Sequence, residues 1–210
     1  MSETQQFPDY LDVDYTDGEG ETPAEYPSIE HKIEKALEVV EEGLRQYENP
    51  AVMWTGGKDS TLTLYFVKEV VENDPDLELP TTVFIDHFQH FDELMEFVER
   101  WADEWDLEVV YARNEDVGEY VDENGLDPGD DIPVAELSEH NQHHIREILE
   151  YEEDTFPFLL DTYVGNHLLK TVALNHTLEA EEIDGIISGI RWDEQEARAD
   201  ETFFSPRHDP

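Results

Sequence analysis

The segment Trp54-Thr55-Gly56-Gly57-Lys58-Asp59-Ser60-Thr61 most constrains the fold, because it joins an apolar run to a helical pattern. Two adjacent glycines let the backbone turn sharply and approach a ligand closely. The free amides at the start of the following helix favour an anion, and Lys58 adds a positive charge. The hydroxyls of Thr55 and Ser60 can bond phosphate oxygens. The segment therefore predicts a phosphate-binding loop between a strand and a helix.

Two common nucleotide-binding loops do not fit this segment. A Walker A loop would require glycine at Val52 and serine or threonine at Asp59, and the pattern G-x-G-x-x-G is also absent from the segment. The plainer alternative is a glycine-rich turn before an ordinary capped helix. The order of strand, loop and helix favours the anion site.

Strand and helix patterns alternate on both sides of the loop. The first elements are a helix after Ser28, a strand at 51–54, a helix at 60–72, a strand at 82–85, a helix at 92–105 and a strand at 107–111. This alternation predicts an α/β fold, a doubly wound parallel sheet with helices on both faces. Residues 113–133, rich in Asp, Glu, Gly and Pro, are predicted to leave the sheet. The remaining predicted elements are helices at 138–151 and 163–178, a strand at 185–188 and a charged helix starting near Asp193.

The chain is predicted to divide into an arm and one domain. Residues 1–27 contain eight acids, three prolines and neither Lys nor Arg, so we expect an acidic mobile arm there. Residues 28–210 are expected to form a single nucleotide-binding α/β domain. Because Ser205–Pro210 resembles a loop that enters another element, we expect the natural protein to continue beyond Pro210.

The charge composition excludes several functions. The chain has 55 Asp and Glu against 12 Lys and Arg, a formal net charge of −43. Such a field disfavours a broad nucleic-acid interface and an anionic membrane surface, because both depend on Lys and Arg. We interpret the acidity as halophilic adaptation, with an acidic mesophile protein as the alternative, since high salt would screen the repulsion.

Two features that the sequence lacks also narrow the possible locations and chemistry of the protein. No window reaches the roughly 20 continuous apolar residues of a membrane-spanning helix, and residues 1–27 do not resemble a signal peptide, so we expect a cytoplasmic protein. With no cysteine, the chain supplies no disulfide, thiolate metal site, iron–sulfur cluster or thiol nucleophile.

The loop resembles the S-G-G-x-D-S pyrophosphate loop of the N-type ATP pyrophosphatase superfamily, with Thr55 in place of the usual serine. Three further stretches are similar to one branch of that superfamily, the phosphoadenylylsulfate reductase and sulfate adenylyltransferase small-subunit family. They are Phe84-Ile85-Asp86-His87 with Phe91-Asp92-Glu93-Leu94, then Leu169-Lys170-Thr171, and finally Ser188-Gly189-Ile190-Arg191-Trp192-Asp193-Glu194 with Arg198, Phe204, Ser205 and Arg207. The resemblance extends from about residue 51 to residue 207.

The resemblance implies an enzyme that transfers the adenylyl group of ATP to sulfate or a related oxyanion and releases pyrophosphate. It also implies ATP as a cofactor and a separate GTPase subunit as partner. Mg²⁺ is expected with ATP, because this ion usually binds through substrate phosphates and few protein ligands. The nearest alternative is a sulfonucleotide reductase or sulfur-transfer protein, and another is a nucleotide-binding partner without turnover. Because the reductases use cysteine, the cysteine-free chain favours adenylyl transfer.

The loop and the resemblance together predict the site residues. Catalytic roles fall to Lys58, Arg191 and Arg198. Nucleotide binding is predicted for Thr55, Gly56, Gly57, Lys58, Asp59, Ser60, Thr61, Asp86, Lys170, Gly189 and Arg191. The plainer alternatives are a helix-capping Asp86, a surface Lys170 and a structural ion pair within residues 191–198. His87 and His90 are candidates to line the nucleotide pocket, and no metal site is predicted from His140, His143 and His144, which a solvated helix explains.

Overall fold

The computed structural model describes residues 13–191 and 201–205. The helices are α1 (Ile29–Gln46), α2 (Lys58–Asn73), α3 (Asp92–Glu104), α4 (Glu115–Asn124), α5 (Glu139–His143), α6 (Tyr163–Asn166) and α7 (Ala173–Ala180). The strands are β1 (Pro50–Met53), β2 (Thr81–Ile85), β3 (Val109–Ala112), β4 (Asp131–Pro133), β5 (Thr155–Pro157) and β6 (Gly185–Ile187). A parallel sheet of four of these strands, β1, β2, β3 and β6, flanked by helices, confirms the predicted α/β class.

The chain divides into two compact units, Met1–Thr81 with Asp184–Pro210, and Thr82–Ile183. Within residues 13–191 and 201–205, no helix combines the length and the apolar character needed to cross a bilayer. The predicted arm and single domain stay predictions, and the predicted helix near Asp193 lies outside the described residues.

The first unit is built around β1 and β6. These strands pair in parallel, with Val52 opposite Ile187. Ala51 and Val52 are fully buried, which is why an apolar run forms this strand. Because parallel strands end at the same edge of a sheet, the chain leaves both strands side by side, at residue 54 and at residue 188.

Helix α1 begins where the sequence predicts. The Ser28 side chain accepts a hydrogen bond from the His31 amide at 3.3 Å, as an N-cap residue does. The helix packs against α2 and ends at Gln46, before Asn49-Pro50. A local sequence signal therefore fixes both ends of this element.

The described part of the predicted arm contacts this unit. Lys35 of α1 forms an ion pair with Asp17 at 3.1 Å, and its ammonium lies 4.6 Å from the centre of the Phe203 ring. Gly18, at φ +85°, lies against the same ring, where a Cβ atom would come within 2.9 Å of it. Residues near 17, 35 and 203 thus form one small contact.

The second unit contains the parallel pair β2 and β3, in which Ile85 lies opposite Ala112. Its core is a cluster formed by α4, β4, β5 and the later helices. The cluster consists of Val117, Val121, Ile132, Val134, Leu137, Ile145, Phe156, Phe158, Val164, Leu168, Leu169 and Val172.

The sequence analysis predicted too little regular secondary structure for residues 113–133. They contain a complete helix, α4, and the strand β4, which pairs antiparallel with β5. Acidic residues dominate the composition of this segment, and they concealed an apolar pair, Val117 and Val121, spaced one helical turn apart. Both valines are buried in the core cluster, so tertiary packing stabilises a helix that composition did not predict.

The two long helices predicted at 138–151 and 163–178 are interrupted. Each contains a π-helical stretch, at His144–Ile148 and at His167–Val172, and the first of them ends the helical segment near Leu149. Stretches of this kind are rare and occur often at functional sites. Apolar periodicity alone does not reveal such a change of hydrogen-bond pattern.

Candidate functional site

The predicted phosphate loop lies between β1 and α2. Gly56 has φ +71°, in the left-handed region that favours glycine, and Gly57 is the N-cap residue of α2. No side chain caps this helix. Because the first amides of a helix have no intrahelical acceptor, those of α2 are available to an anion.

A network of two hydroxyls fixes the loop. The Thr55 amide donates to Ser60 Oγ at 3.1 Å, and Ser60 Oγ donates to the Gly57 carbonyl at 3.1 Å. The hydroxyl oxygens of Thr55 and Ser60 lie 3.0 Å apart. Since the single Ser60 proton goes to Gly57, the Thr55 hydroxyl donates to Ser60. Threonine therefore preserves the hydroxyl function that the family's serine would supply.

Trp54, at the start of the loop, links the loop to the first turn of α2. Its side chain is fully buried, and its Nε1 donates to Thr61 Oγ1 at 3.0 Å. A buried indole needs a hydrogen-bond acceptor, and Thr61 in the first turn of α2 provides it. The end of the strand and the start of the helix are thereby tied together.

The segment after β6 approaches the same helix end. A Cβ atom on Gly189 would lie 2.7 Å from Thr63 Oγ1 and 2.9 Å from the Asp59 carbonyl oxygen, so only glycine fits without a shift. Two residues later, Arg191 Nη1 donates to both carboxylate oxygens of Asp59, at 3.0 Å each. The structure thus brings Gly189 and Arg191 to the predicted loop.

Asp59 contacts both of the predicted catalytic cations that lie among the described residues of this unit. Lys58 Nζ lies 2.5 Å from Asp59 Oδ2, one of the two oxygens that Arg191 also contacts. The hydrogen bond from Lys58, and next the one from Arg191, lower the pKa of the Asp59 carboxyl group. Lys58, Arg191 and Asp59 therefore form a partly exposed cluster of charged side chains at the start of α2.

Asp86 and Lys170 belong to the second unit. Asp86 directly follows β2 and is 6% exposed. Its Oδ1 accepts a hydrogen bond from the Phe88 amide at 3.0 Å, while Oδ2 accepts from Arg113 Nε at 2.8 Å and lies 2.7 Å from Arg113 Nη2. The carboxylate thus shapes the turn after β2 and anchors an arginine, while nucleotide binding by Asp86 stays a prediction.

Sequence reasoning missed Arg113. It directly follows β3 as Asp86 directly follows β2, and the parallel register that pairs Ile85 with Ala112 brings the two side chains together. Its guanidinium also lies 5.1 Å from the centre of the Tyr111 ring. The signal available in the sequence was this equivalent position at the ends of two neighbouring strands.

His87 and His90 form a stacked pair in the second unit, with ring centres 3.7 Å apart. Burial lowers the pKa of His87 to about 4, assisted by electrostatic interaction with the neighbouring His90 and Lys170. Gln89 Nε2 is buried and has no hydrogen-bond partner among the described residues, so it can donate to a ligand. These features fit the predicted pocket-lining role, which stays a prediction.

His140, His143, His144 and His167 form a second group of rings in this unit. His144 Nδ1 and His167 Nε2 lie 3.0 Å apart, and burial lowers the pKa of both rings. The His140 ring lies 4.7 Å from that of His144. In the part of the chain that the structure describes, no group of three or more His, Asp or Glu side chains is arranged to hold a metal ion. Among the predicted site residues, Arg198 lies outside the described residues.

The parallel sheet and its flanking helices define the class of this protein as an α/β fold. Residues 49–130 match the family model of the phosphoadenosine phosphosulfate reductase domain. The chain is also similar to proteins named sulfate adenylyltransferase subunit 2. These matches confirm the resemblance to the phosphoadenylylsulfate reductase and sulfate adenylyltransferase small-subunit family.

Two curated relatives show the extent of this similarity. The chain is 23% identical over 184 residues to sulfate adenylyltransferase subunit 2 of Rhizobium tropici, covering 87% of this chain and 50% of the relative. It is 25% identical over 182 residues to the same subunit of Rhizobium meliloti (strain 1021), covering 86% of this chain and 49% of the relative. The chain therefore spans about half the length of the curated relatives it matches.

Among solved structures, the chain is similar to phosphoadenylyl-sulfate (PAPS) reductase from Candida auris in its phosphate complex. The identity is 14%, the TM-score is 0.48, and the match covers 78% of this chain and 68% of that chain.

Proposed function

We propose that this protein transfers the adenylyl group of ATP to sulfate or a related oxyanion and releases pyrophosphate. The observation that carries the proposal is the loop from Thr55 to Thr61, with Arg191 brought to its helix end. The similarity to sulfate adenylyltransferase small subunits supports the choice of sulfate as acceptor. The names of those relatives describe each of them as one subunit of an assembly. For this protein, the proposed partner is a separate GTPase subunit.

The loop would hold the β- and γ-phosphates of ATP. Backbone amides at the start of α2 and the ammonium of Lys58 are donors suited to phosphate oxygens, while the hydroxyls of Thr55 and Ser60 hold the loop in shape. Mg²⁺ fits this donor set, because it usually binds through substrate phosphates and one or two carboxylates, and Asp59 is the carboxylate at the loop. When bound, the ion would neutralise charge on the phosphates.

In the proposed reaction, an oxygen of sulfate attacks the α-phosphorus in line, and the bond from that phosphorus to the β-phosphate oxygen breaks. The electron pair leaves with pyrophosphate. Sulfate is fully ionised at neutral pH, so no general base is required, and catalysis consists of positioning and charge neutralisation. Arg191, and by resemblance Arg198, would supply forked donors for a tetrahedral oxyanion. By resemblance, Asp86 and Lys170 are also proposed to bind nucleotide.

A sulfonucleotide reductase or sulfur-transfer protein is the second candidate. The observation that favours it is the match of residues 49–130 to the phosphoadenosine phosphosulfate reductase domain. The chain contains no cysteine to act as the thiol nucleophile. This candidate predicts tight binding of adenylyl sulfate or phosphoadenylyl sulfate without cleavage of ATP, whereas a nucleotide-binding partner protein would bind ATP and form neither AMP nor pyrophosphate.

Product analysis distinguishes these candidates. The purified chain is incubated with ATP and Mg²⁺ in concentrated KCl, with sulfate, with molybdate or with neither. Molybdate is informative because its adenylyl adduct hydrolyses spontaneously and draws the reaction forward. We expect AMP and pyrophosphate that depend on the added oxyanion. ATP that stays intact while it binds to folded protein would contradict autonomous adenylyl transfer.

Lys58→Ala tests where the phosphates lie. Removing the ammonium at the loop should lower oxyanion-dependent pyrophosphate release by about 10²-fold or more, the scale of a lost charge-stabilising donor. Lys32→Ala is the matched control, because it removes one exposed lysine from α1 in the same unit. Equal rates for the Lys58 and Lys32 variants would show that ATP does not use this loop.

A further inference from the structure

We propose that Asp59 is a positioning residue that gathers Lys58 and Arg191 at the phosphate loop and competes with a bound phosphate group for them. This inference rests on the proposed function, because it concerns the cations that would receive the phosphates of ATP. It differs from the sequence prediction, in which Asp59 contributes to nucleotide binding. In the role proposed here, Asp59 opposes the binding of a phosphate group in the absence of Mg²⁺, because it holds the two cations itself.

The first argument is the geometry of the contacts. Lys58 Nζ lies 2.5 Å from one carboxylate oxygen of Asp59, and Arg191 Nη1 is equidistant from both oxygens at 3.0 Å. These two residues are the catalytic cations that the sequence predicts and that the structure describes. A single carboxylate therefore neutralises part of the charge that the proposed reaction requires.

The second argument is that the fold forces the three groups together. Lys58 and Asp59 are consecutive residues of the first turn of α2. Arg191 arrives from a distant part of the chain because β6 pairs with β1 and because Gly189 permits close contact with the Asp59 backbone. Two cations held this close would repel each other without an anion between them. Asp59 supplies that anion from within the protein.

The third argument is the charge that a phosphate group meets. Lys58 and Arg191 carry two positive charges, and Asp59 cancels one of them. A phosphate group placed on the loop therefore meets both an attraction to the cations and a repulsion from the carboxylate. Replacing the carboxylate by an amide keeps the shape and doubles the net positive charge of the three residues. Asp59→Asn should consequently increase the affinity for a phosphate anion. If Asp59 had a purely structural role, the same substitution would leave that affinity unchanged or lower it.

The experiment is a calorimetric titration of the full chain with inorganic pyrophosphate, in EDTA so that no divalent cation takes part. We expect Asp59→Asn to bind pyrophosphate about 10-fold more tightly than the unaltered protein, which corresponds to about 1.4 kcal/mol. Because the gain is electrostatic, it should shrink as KCl is raised. Asp59→Glu, which keeps the charge, should bind with nearly unaltered affinity and guards against a folding defect of the asparagine variant.

Glu72→Gln is the matched control. It removes one carboxylate from the same helix, where Glu72 is paired with Lys68 at 3.7 Å, and it lies about 20 Å from Asp59 along the helix axis. We expect no change in pyrophosphate affinity for this variant. An equal increase in both variants would show a general effect of net charge and would overturn the specific role of Asp59.

Two other outcomes are separable. If Asp59→Asn leaves the affinity unchanged or lowers it while Lys58→Ala weakens binding, the role of Asp59 is wrong and the proposed placement of phosphates stands. If Lys58→Ala has no effect on pyrophosphate binding, the placement of phosphates is wrong, and the inference about Asp59 is overturned with it. Oxyanion-dependent cleavage of ATP is measured separately and reports on the reaction itself.

Discussion

At the scale of single residues, Gly189 shows how little space separates the two halves of the candidate site in the first unit. The absent side chain matters because a Cβ atom would meet the Thr63 hydroxyl at 2.7 Å and the Asp59 backbone at 2.9 Å. Backbone atoms of a helix cannot move aside cheaply. The segment after β6 would have to shift, and Arg191 would shift with it. The glycine of the family signature therefore has a steric reason in this chain.

Gly189→Ala should destabilise the protein by about 1–3 kcal/mol, the usual cost of overpacking, and should reduce pyrophosphate release. Gly43→Ala is the opposite case within the same unit. Gly43 lies within α1, where a Cβ atom would make ordinary contacts with the Phe204 and Ile187 side chains at 3.9 Å and 4.0 Å, and alanine favours a helix over glycine by about 1 kcal/mol. Urea unfolding at fixed KCl measures both changes, and equal midpoints for the two variants would contradict the steric argument.

At the scale of elements, a pair of buried asparagines joins the helices of the second unit. The side chains of Asn114 and Asn141 exchange two hydrogen bonds of 2.9 Å. Asn114 also caps α4 by accepting from the Val117 amide, and it donates to the Leu168 carbonyl at 3.1 Å. One amide pair therefore connects the start of α4, helix α5 and the second π-helical stretch. Because buried polar groups must be paired, this contact fixes how the three elements pack.

Asn114→Ala should lower the free energy of unfolding by about 2–4 kcal/mol. The variant loses the helix cap, leaves the buried Asn141 Oδ1 without its Asn114 donor, and removes one donor from the Leu168 carbonyl. Asn124→Ala is the control, since Asn124 is exposed at the other end of the same helix and bonds only locally to the Tyr120 carbonyl. We expect that control to change stability by less than about 0.5 kcal/mol. Similar urea midpoints for the two variants would refute a joining role for the pair.

At the scale of the whole molecule, charge dominates. A net charge of −43 over 210 residues places many like charges within one another's field. The 12 Lys and Arg cannot offset 55 acids, and ion pairs such as the one between Lys68 and Glu72 are exposed at one partner and contribute little. Ions in solution must therefore supply most of the screening. This need for screening is the physical reason for interpreting the protein as halophilic, and that interpretation stays a prediction.

The urea midpoint should rise steeply as KCl increases from about 0.1 M to about 1 M, where the Debye length falls from about 10 Å to about 3 Å. Above that concentration the screening is nearly complete, so a plateau is expected. A rise that continues at the same slope into higher salt would instead indicate exclusion of the salt from the protein surface. A midpoint that falls with salt would contradict the repulsion argument altogether.

The sequence by itself determined the features that neighbouring residues control. The Ser28 cap, the apolar run that forms β1, the glycine turn and the start of α2 all depend on side chains within a few positions of one another. The alternation of strands and helices then selected the α/β class, since parallel strands require crossovers. The predicted strand at 82–85 agrees with β2 to within one residue for the same local reason.

Only the tertiary structure decided which distant groups meet. Arg113 and Asp86 are 27 residues apart, and Arg191 and Asp59 are 132 residues apart. In a chain with 55 acids, charge composition does not identify the carboxylate that an arginine will contact. That choice depends on strand pairing and register, which place the carboxyl ends of two neighbouring strands at the same edge of a sheet. Helix α4 also required tertiary contacts, because its two buried valines gain stability only from the core against which they pack.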